Sequence, residues 1–426
     1  MPRSTSIRAT GVIAMIAATA FALSACAPEP QTSPSPSPSA TAEPVAYSGP
    51  LVFVGDELEL LLPTSEEIAQ VIPGATEITA PTGALVLGDG GGPEPAPAVC
   101  AAFFIGQPLW SVGARTASWR VSDAADARTG FVHALAFADE EQAQNRMDQL
   151  LDAAEQCATF DYNGPATFEG VIADPSDDVR AFAGTVSVSG IEGGGKMFHG
   201  FASVGNVLVN LWSPLEGGTA PDADAVATLL RDHAEQARTS LIDQLTANPP
   251  TSEEVPATDA AAPWSEWAIT VDGVGPILLG DSIDVALDAV PGAQVTEPEY
   301  DGLPWKIVSA DGAASLWIST PEEDGTTVSV ITVGTDRTLD GPPQDGAALP
   351  ARGDVRVGDP VSQAIEAFPG GTSIRMASSG DYSYETATRD GHLFRFHTDR
   401  DAAEADAVVV GITVEDATVR RELVFG

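Results

Sequence analysis

The strongest constraint on the fold is an internal repeat in the second half of the chain. Residues 280–292 (GDSIDVALDAVPG) recur 78 positions later as residues 358–370 (GDPVSQAIEAFPG). In each copy an aspartate, Asp281 or Asp359, stands where its side chain would accept hydrogen bonds from the first N–H groups of a helix, and Pro-Gly ends the segment. Each copy therefore predicts a short helix. The apolar face of the first helix is predicted to comprise Val285, Leu287 and Ala289.

Strand-like segments follow the helix in both copies. Residues 316–318 correspond to 393–396, and residues 328–333 correspond to 408–414. One copy alone would present one face of a small sheet and one short helix, so burial of that face requires the other copy. We therefore predict one pseudo-symmetric α+β unit with a shared sheet. The alternative, that the Gly-Asp signals are only good helix caps, explains the motif but not the matching strands.

The repeated unit, over about residues 270–426, resembles the repeats of beta-lactamase inhibitory proteins and of small outer-membrane assembly lipoproteins. The shared element is the Gly-Asp turn followed by a helix. The resemblance implies an architecture of helix-then-strands modules, and it implies no inhibitor activity for this chain.

The N-terminus predicts export. Arg3 and Arg8 precede an apolar run at residues 11–23, which is too short to cross about 30 Å of hydrocarbon as a helix. The run ends in the sequence LSAC, which resembles the lipobox of bacterial lipoproteins, with Cys26 as the lipidated residue. Residues 1–25 are then a signal peptide, and a diacylglyceryl group on Cys26 holds the protein on the extracellular side of the membrane. The alternative is a plain secretory signal in which Cys26 has no role.

Low-complexity segments divide the remaining chain. Residues 26–49 contain an alternating Ser-Pro run that favours extended polyproline II structure, so we predict a disordered tether after the lipidated cysteine. Residues 247–263 form a Pro-rich and Ala-rich linker without apolar periodicity. These two segments predict tandem α+β domains at 50–246 and 264–426, with few contacts crossing between them.

The two remaining cysteines, Cys100 and Cys157, form one possible pair in an oxidising compartment, and we predict a disulfide between them. Apolar residues at spacings of three and four after Asp139 predict a helix that turns the Cys157 side chain into the core. Two buried free thiols are the alternative.

The first domain opens with a capping-box pattern at Thr64 and Glu67, followed by strands, the helix from Asp139, further strands and a long helix over about residues 220–245. This order, together with the two cysteines, resembles the extracellular sensor domain of actinobacterial PknH-type Ser/Thr kinases over about residues 50–246. The resemblance implies a mixed sheet with helices around an open cleft for an extracellular ligand. This chain has one cysteine pair where the kinase-linked domain has two, and it lacks the kinase signatures.

Several function classes are disfavoured. The chain has a formal charge of −41 and shows no basic stripe of the kind that nucleic-acid binding requires. Residues 190–196 match the spacing of a phosphate-binding loop, but Met197 replaces the Ser or Thr that would hold magnesium, so we predict a hairpin turn. The acidic residues at 399–406 predict a solvated turn. The five histidines show no metal-ligand spacing, and we predict surface or half-buried positions for them: His133, His199, His233, His392 and His397.

We therefore predict no catalytic residues, no metal site and no cofactor. Trp110, Trp119 and Trp212, with Arg115 and Arg120 near the first two, are a weaker hypothesis for a binding cleft. The leading interpretation is a non-enzymatic, lipid-anchored extracellular binding or sensor protein for a small molecule, cell-wall component or envelope protein. One alternative is a structural lipoprotein that docks on an envelope partner through the repeat sheet, and an envelope enzyme is another. A pocket with convergent polar groups would favour the first, and an exposed apolar patch on the repeat sheet would favour the second.

Overall fold

A computed structural model describes residues 46–420, apart from residues 89–93, 122–127, 177, 190–194, 216–218, 301–302, 322–324 and 336–343. The signal peptide, Cys26 and the Ser-Pro tether lie outside the described residues. The described residues belong to one compact unit.

The first half of the chain is built around an antiparallel sheet. Its helices are α1 (Ser65–Val71), α2 (Glu140–Gln156) and α3 (Ala223–Ala247), with 3-10 helices at Gly55–Leu61 and Ala98–Phe103. Its strands are β1 (Ala84–Leu87), β2 (Gly113–Arg120), β3 (Thr129–Ala136), β4 (Phe160–Asp161), β5 (Pro165–Ile172), β6 (Arg180–Val188), β7 (Lys196–Val204) and β8 (Val207–Leu215). Strands β2 to β8 form one sheet in the order β2-β3-β8-β7-β6-β5-β4.

Helices α2 and α3 cover opposite faces of this sheet. The alternation of side chains along a strand explains the arrangement, because successive residues point to opposite faces. On β7, Phe198 and Ala202 share a core with Leu230 of α3, whereas Phe201 shares a second core with Met147 of α2. Burial of both faces accounts for the almost continuous apolar character of β7 and β8.

The local signals of the first half match the structure. Thr64 caps α1, and Glu67 completes the capping box. Asp139 caps α2 by accepting a hydrogen bond from the N–H of Gln142. Cys157 ends α2 with its side chain buried, and the structure contains a disulfide between Cys100 and Cys157, the pairing that the cysteine count predicts.

The second half contains helices α4 (Ile283–Asp288) and α5 (Val361–Ala367), and 3-10 helices at Trp264–Glu266, Gly346–Ala348 and Ala417–Val419. Its strands are β9 (Ile269–Thr270), β10 (Gly273–Val274), β11 (Ile277–Leu278), β12 (Gln294–Thr296), β13 (Trp305–Val308), β14 (Ser315–Ser319), β15 (Val330–Gly334), β16 (Thr372–Met376), β17 (Tyr382–Ala387), β18 (His392–Thr398) and β19 (Val409–Asp416). Strands β9 to β11 form a small separate sheet.

The two repeats share a sheet, as the sequence predicts. The strand order is β1-β16-β17-β18-β19-β15-β14-β13-β12, so the four strands of one repeat meet those of the other at the antiparallel pair β15 and β19. Thr332 and Thr413 face each other at this junction, with 2.8 Å between their hydroxyl oxygens. The equivalent strands of the repeats lie at equal distances on either side. The α+β class is confirmed, and the repeat relation is a pseudo-two-fold one.

The details of the repeat helices differ from the prediction. Ser282, not Asp281, caps α4, and Pro360 precedes α5 while the Asp359 carboxylate accepts a hydrogen bond from the N–H of Arg356. The buried residues of the α4 segment are Ile283, Ala286 and Val290, and Val285 is exposed. The predicted face followed a spacing of two, whereas a helix buries residues at spacings of three and four.

The expectation of few contacts between the halves is wrong. Strand β1 from the first half pairs in parallel with β16 of the repeat sheet. The hydroxyl of Thr372 donates to the carbonyl oxygen of Ala114 and accepts from its N–H group. The buried guanidinium of Arg115 donates to the carbonyl oxygens of Gly370 and Gly371. The domain boundaries stay a prediction. The two halves nevertheless make extensive contacts at an interface, called the joint below, which comprises β1 with β16 and Ala114 and Arg115 with residues 370–372.

Candidate functional site

A cleft of about 340 Å³ opens on the face of the first sheet that also carries α2. Its floor is made by β3, β8 and β7. Its walls are the segment that follows the 3-10 helix Ala98–Phe103, as far as Leu109, and the end of β1 with Gly88. The disulfide stabilises this wall, because Cys100 belongs to the 3-10 helix and Cys157 ends α2.

Strand register places the floor residues in two rows. Phe131 on β3, Trp212 on β8 and His199 on β7 are directly opposed across the three strands. One row further along the sheet, His133 on β3 is opposed to Asn210 on β8. The Cβ atoms of directly opposed residues on one face of a sheet are about 5 Å apart, so the five side chains form a continuous surface.

The aromatic part of this surface is tightly organised. The rings of Phe131 and Trp212 are stacked with centroids 5.5 Å apart. Gly184 on β6 is directly opposed to His199 on β7. Its missing side chain leaves room for the ring of Phe168, because a Cβ at position 184 would come within 2.5 Å of that ring. Phe168 in turn stacks on Phe103 of the cleft wall at 4.7 Å.

The polar side chains of the cleft are half-buried (His133) or buried, and they are only partly bonded. The Nδ1 atom of His133 lies 2.7 Å from the hydroxyl of Thr116. Gln107 donates from Nε2 to the carbonyl oxygen of Ala102 at 2.7 Å, but its Oε1 atom has no protein partner among the described residues. Neither ring nitrogen of His199 has one, although the residue is only 3% exposed. The amide of Asn210, which is 5% exposed, also makes no hydrogen bond within the described structure.

Burial keeps the two cleft histidines neutral. It lowers the pKa of His133 and the pKa of His199 from 6.5 to about 4. Each neutral imidazole has one donor and one acceptor nitrogen. Among the described residues, those that line the cleft include no Asp, Glu, Lys or Arg, in a chain whose formal charge is −41. The described lining of the cleft is therefore uncharged and offers both donors and acceptors.

The structure separates the predicted tryptophan and arginine cluster. Trp212 lines the cleft, whereas Trp119 is buried in the core on the opposite face of the sheet, and Trp110 is outside the lining. Arg115 forms an ion pair with Asp56 at the joint. Only the Trp212 part of that hypothesis coincides with the cleft.

The other sequence candidates lie elsewhere. His233 contacts Glu67, and His397 contacts Thr413. Within the part of the chain that is described, no group of three or more potential ligands could hold a metal ion. Strands β6 and β7 pair as the predicted hairpin requires, although residues 190–194 of the turn lie outside the described residues. The prediction for His199 was wrong, because this side chain is almost completely buried.

Sequence reasoning missed Gln107, His199 and Asn210 as cleft residues. The alternation on β8 carried a usable signal, because Asn210 and Trp212 are two residues apart and must share a face. The positions of Phe131 and His133 on β3 and of His199 on β7 beside these two residues depend on which strands pair. The sequence pattern does not predict that pairing.

Comparisons with known proteins add little to this geometry. No protein-family model and no curated protein matches the chain. Among solved structures, the extracellular domain of PknH from Mycobacterium tuberculosis matches with 13% sequence identity and a TM-score of 0.31, over 47% of this chain and 100% of that chain. This similarity is weak, and no conclusion about function rests on it. In the described residues, no helix has the length and apolarity needed to cross a membrane.

Proposed function

We propose that the protein is a non-enzymatic binding or sensor protein that is anchored by lipid at Cys26, displayed on the extracellular side of the membrane, and takes up a ligand in the cleft between β1 and β7. The observation that carries the proposal is a set of buried atoms without protein partners on residues that line one cavity: Oε1 of Gln107 and both ring nitrogens of His199, with the amide of Asn210 on the same floor. A buried donor or acceptor without a partner is costly, and a bound molecule would supply the missing hydrogen bonds.

The chemistry of the cleft supports binding rather than catalysis. Its lining, as far as the structure describes it, includes no Ser, Cys, Lys, Asp or Glu that would act as a nucleophile or a carboxylate acid-base group. Its histidines, with pKa values of about 4, are weak bases. Both features suit a site that holds a molecule without changing it.

The anchoring part of the proposal rests on the sequence. The LSAC motif at Cys26 and the Ser-Pro segment that follows it precede the compact unit, which begins at Val45. A thioether-linked diacylglyceryl group carries two acyl chains, which is the number that stable attachment generally requires.

The docking alternative receives less support. Among the described residues, the central repeat strands carry ion pairs of the buried Glu385 with Arg395 and of the buried Glu415 with Arg420. Burial raises the pKa of Glu415, but Arg420 and Arg395 outweigh it and hold the pKa below its usual value. These paired charges differ from the apolar patch that the docking interpretation predicted for these strands.

Mass spectrometry of the protein purified from exporting cells tests the binding role. Denaturation of the folded protein should release a small molecule in a fixed ratio to the chain, and Asn210→Leu should reduce that ratio because it removes polar groups of the cleft. His392→Phe on β18, outside the cleft, is the matched control and should retain the molecule. Release of the same molecule from Asn210→Leu at an unchanged ratio would place binding elsewhere and contradict the proposal.

A further inference from the structure

We propose that the cleft selects an uncharged small molecule with a flat apolar part and a polar end that both donates and accepts hydrogen bonds. This inference rests on the proposed binding function and names the chemical class of the ligand.

The absence of charge follows from the lining. A charged group that enters a buried site loses its hydration and needs a partner of opposite charge. No lining residue carries a formal charge, and His133 and His199 are neutral because burial lowers their pKa to about 4. An anion would also meet the negative field of a chain with a formal charge of −41. The described lining therefore has no group that would neutralise an anion or a cation.

The flat apolar part follows from the aromatic row. The stacked rings of Phe131 and Trp212 differ in orientation by only 20°, and Met197 and Leu109 also line the cleft. Aromatic faces favour offset stacking with a further planar ring. A planar apolar group would lie along this row.

The polar end follows from the unused hydrogen-bonding groups. The amide of Asn210 offers donors and acceptors, and Gln107 offers its Oε1 acceptor. Because Asn210 is directly opposed to His133, a ligand atom at Asn210 is also within reach of that imidazole. A group such as a carboxamide, which has an acceptor oxygen and donor N–H groups on one carbon, matches this arrangement.

Three probes of the same shape test the inference: benzamide, benzoate and benzamidinium. They share a phenyl ring and a planar head with two heteroatoms, and they differ in charge. Binding to the protein without residues 1–44, which lie outside the compact unit, is measured by saturation-transfer NMR and titration at neutral pH. Benzamide should bind about tenfold or more tightly than either ion, because only benzamide satisfies the cleft without burying a charge.

Two variants assign the signal to the cleft. Asn210→Leu, of similar size but without polar atoms, should weaken benzamide binding about tenfold. His392→Phe on β18 should leave it unchanged. If Asn210→Leu loses its native circular dichroism spectrum, Gln107→Met provides the same test from the wall of the cleft.

The outcomes separate the two proposals. Benzoate or benzamidinium binding as tightly as benzamide, with a signal that depends on Asn210, would overturn the ligand class and leave the binding function in place. If none of the three probes gives a signal that depends on Asn210 or Gln107, both the ligand class and the proposed function are overturned.

Discussion

Replacement of His199 by phenylalanine should make the unliganded protein more stable while it impairs the site. His199 is 3% exposed, and neither ring nitrogen has a protein partner in the described structure. A buried polar group in this state costs about 1–3 kcal/mol. Phenylalanine keeps a planar ring in the aromatic surroundings of Phe103 and Phe201 and removes both nitrogens.

The expected gain at neutral pH is smaller than the full penalty. Phenylalanine is slightly larger than histidine, and overpacking of a core costs about 1–3 kcal/mol. The neighbouring cleft of about 340 Å³ gives the larger ring room, which places the strain at the low end of that range. We therefore expect His199→Phe to raise the free energy of unfolding by up to about 2 kcal/mol at neutral pH.

Acidification should widen the difference. Burial lowers the pKa of His199 from 6.5 to about 4. As the pH falls below 6.5, the unfolded chain therefore takes up a proton at this position, while the folded protein does not do so until about pH 4. The wild-type protein accordingly loses about 3 kcal/mol of stability through this residue between those two pH values. The phenylalanine variant has no such loss.

Urea denaturation of both proteins at several pH values measures the difference directly. Other titrating groups, including His133, contribute equally to wild type and variant and cancel in the comparison. A variant less stable than wild type at neutral pH would show that the His199 nitrogens are satisfied in the free protein. A stability difference that does not change between neutral pH and pH about 4 would show that the pKa of His199 is not lowered in the folded protein.

Three further changes test other parts of the structure. Cys26→Ser should move the protein from the membrane fraction to the medium or leave it unprocessed, and an unchanged lipid-labelled membrane protein would contradict the lipoprotein interpretation. Reduction of the disulfide between Cys100 and Cys157, which are 57 positions apart, should lower the free energy of unfolding by about 4 kcal/mol in the chain-entropy model, as judged by urea denaturation with and without reductant. Non-reducing peptide mapping should recover the linked peptides, and free thiols in the exported protein would disprove the pairing. Arg115→Met removes the hydrogen bonds to the carbonyl oxygens of Gly370 and Gly371 and should cost about 2–4 kcal/mol in a single unfolding transition; two separate transitions in wild type would show that the joint does not couple the halves.

Features written in short stretches of sequence were predictable. The repeat at residues 280–292 and 358–370 led to the shared sheet, because its copies cannot bury a sheet face singly. Thr64, Asp139 and the pairing of the two cysteines followed from rules that involve only local spacing or a simple count.

Features that depend on distant pairing were not predictable. The Pro-rich composition of residues 247–263 suggested independent halves, but composition says nothing about strand β1, which reaches across to β16. The cleft was equally hidden. Asn210 and His133 come together because β8 pairs with β3 in one particular register, and a shift by one residue would turn every side chain to the other face. The absence of hydrogen-bond partners for His199 depends on the whole packed environment.

The joint between the halves has a consequence for the order of folding. Ala114 and Thr372, which exchange hydrogen bonds there, are 258 positions apart in the chain. Formation of a contact between such distant residues lowers the conformational entropy of the long intervening chain. Such contacts therefore form slowly unless the intervening chain has already folded. The strands of each half, by contrast, pair mostly with close neighbours along the chain. The β1 strand is therefore expected to join the repeat sheet last, so the wall of the cleft that contains the end of β1 is completed only when both halves of the described structure have folded.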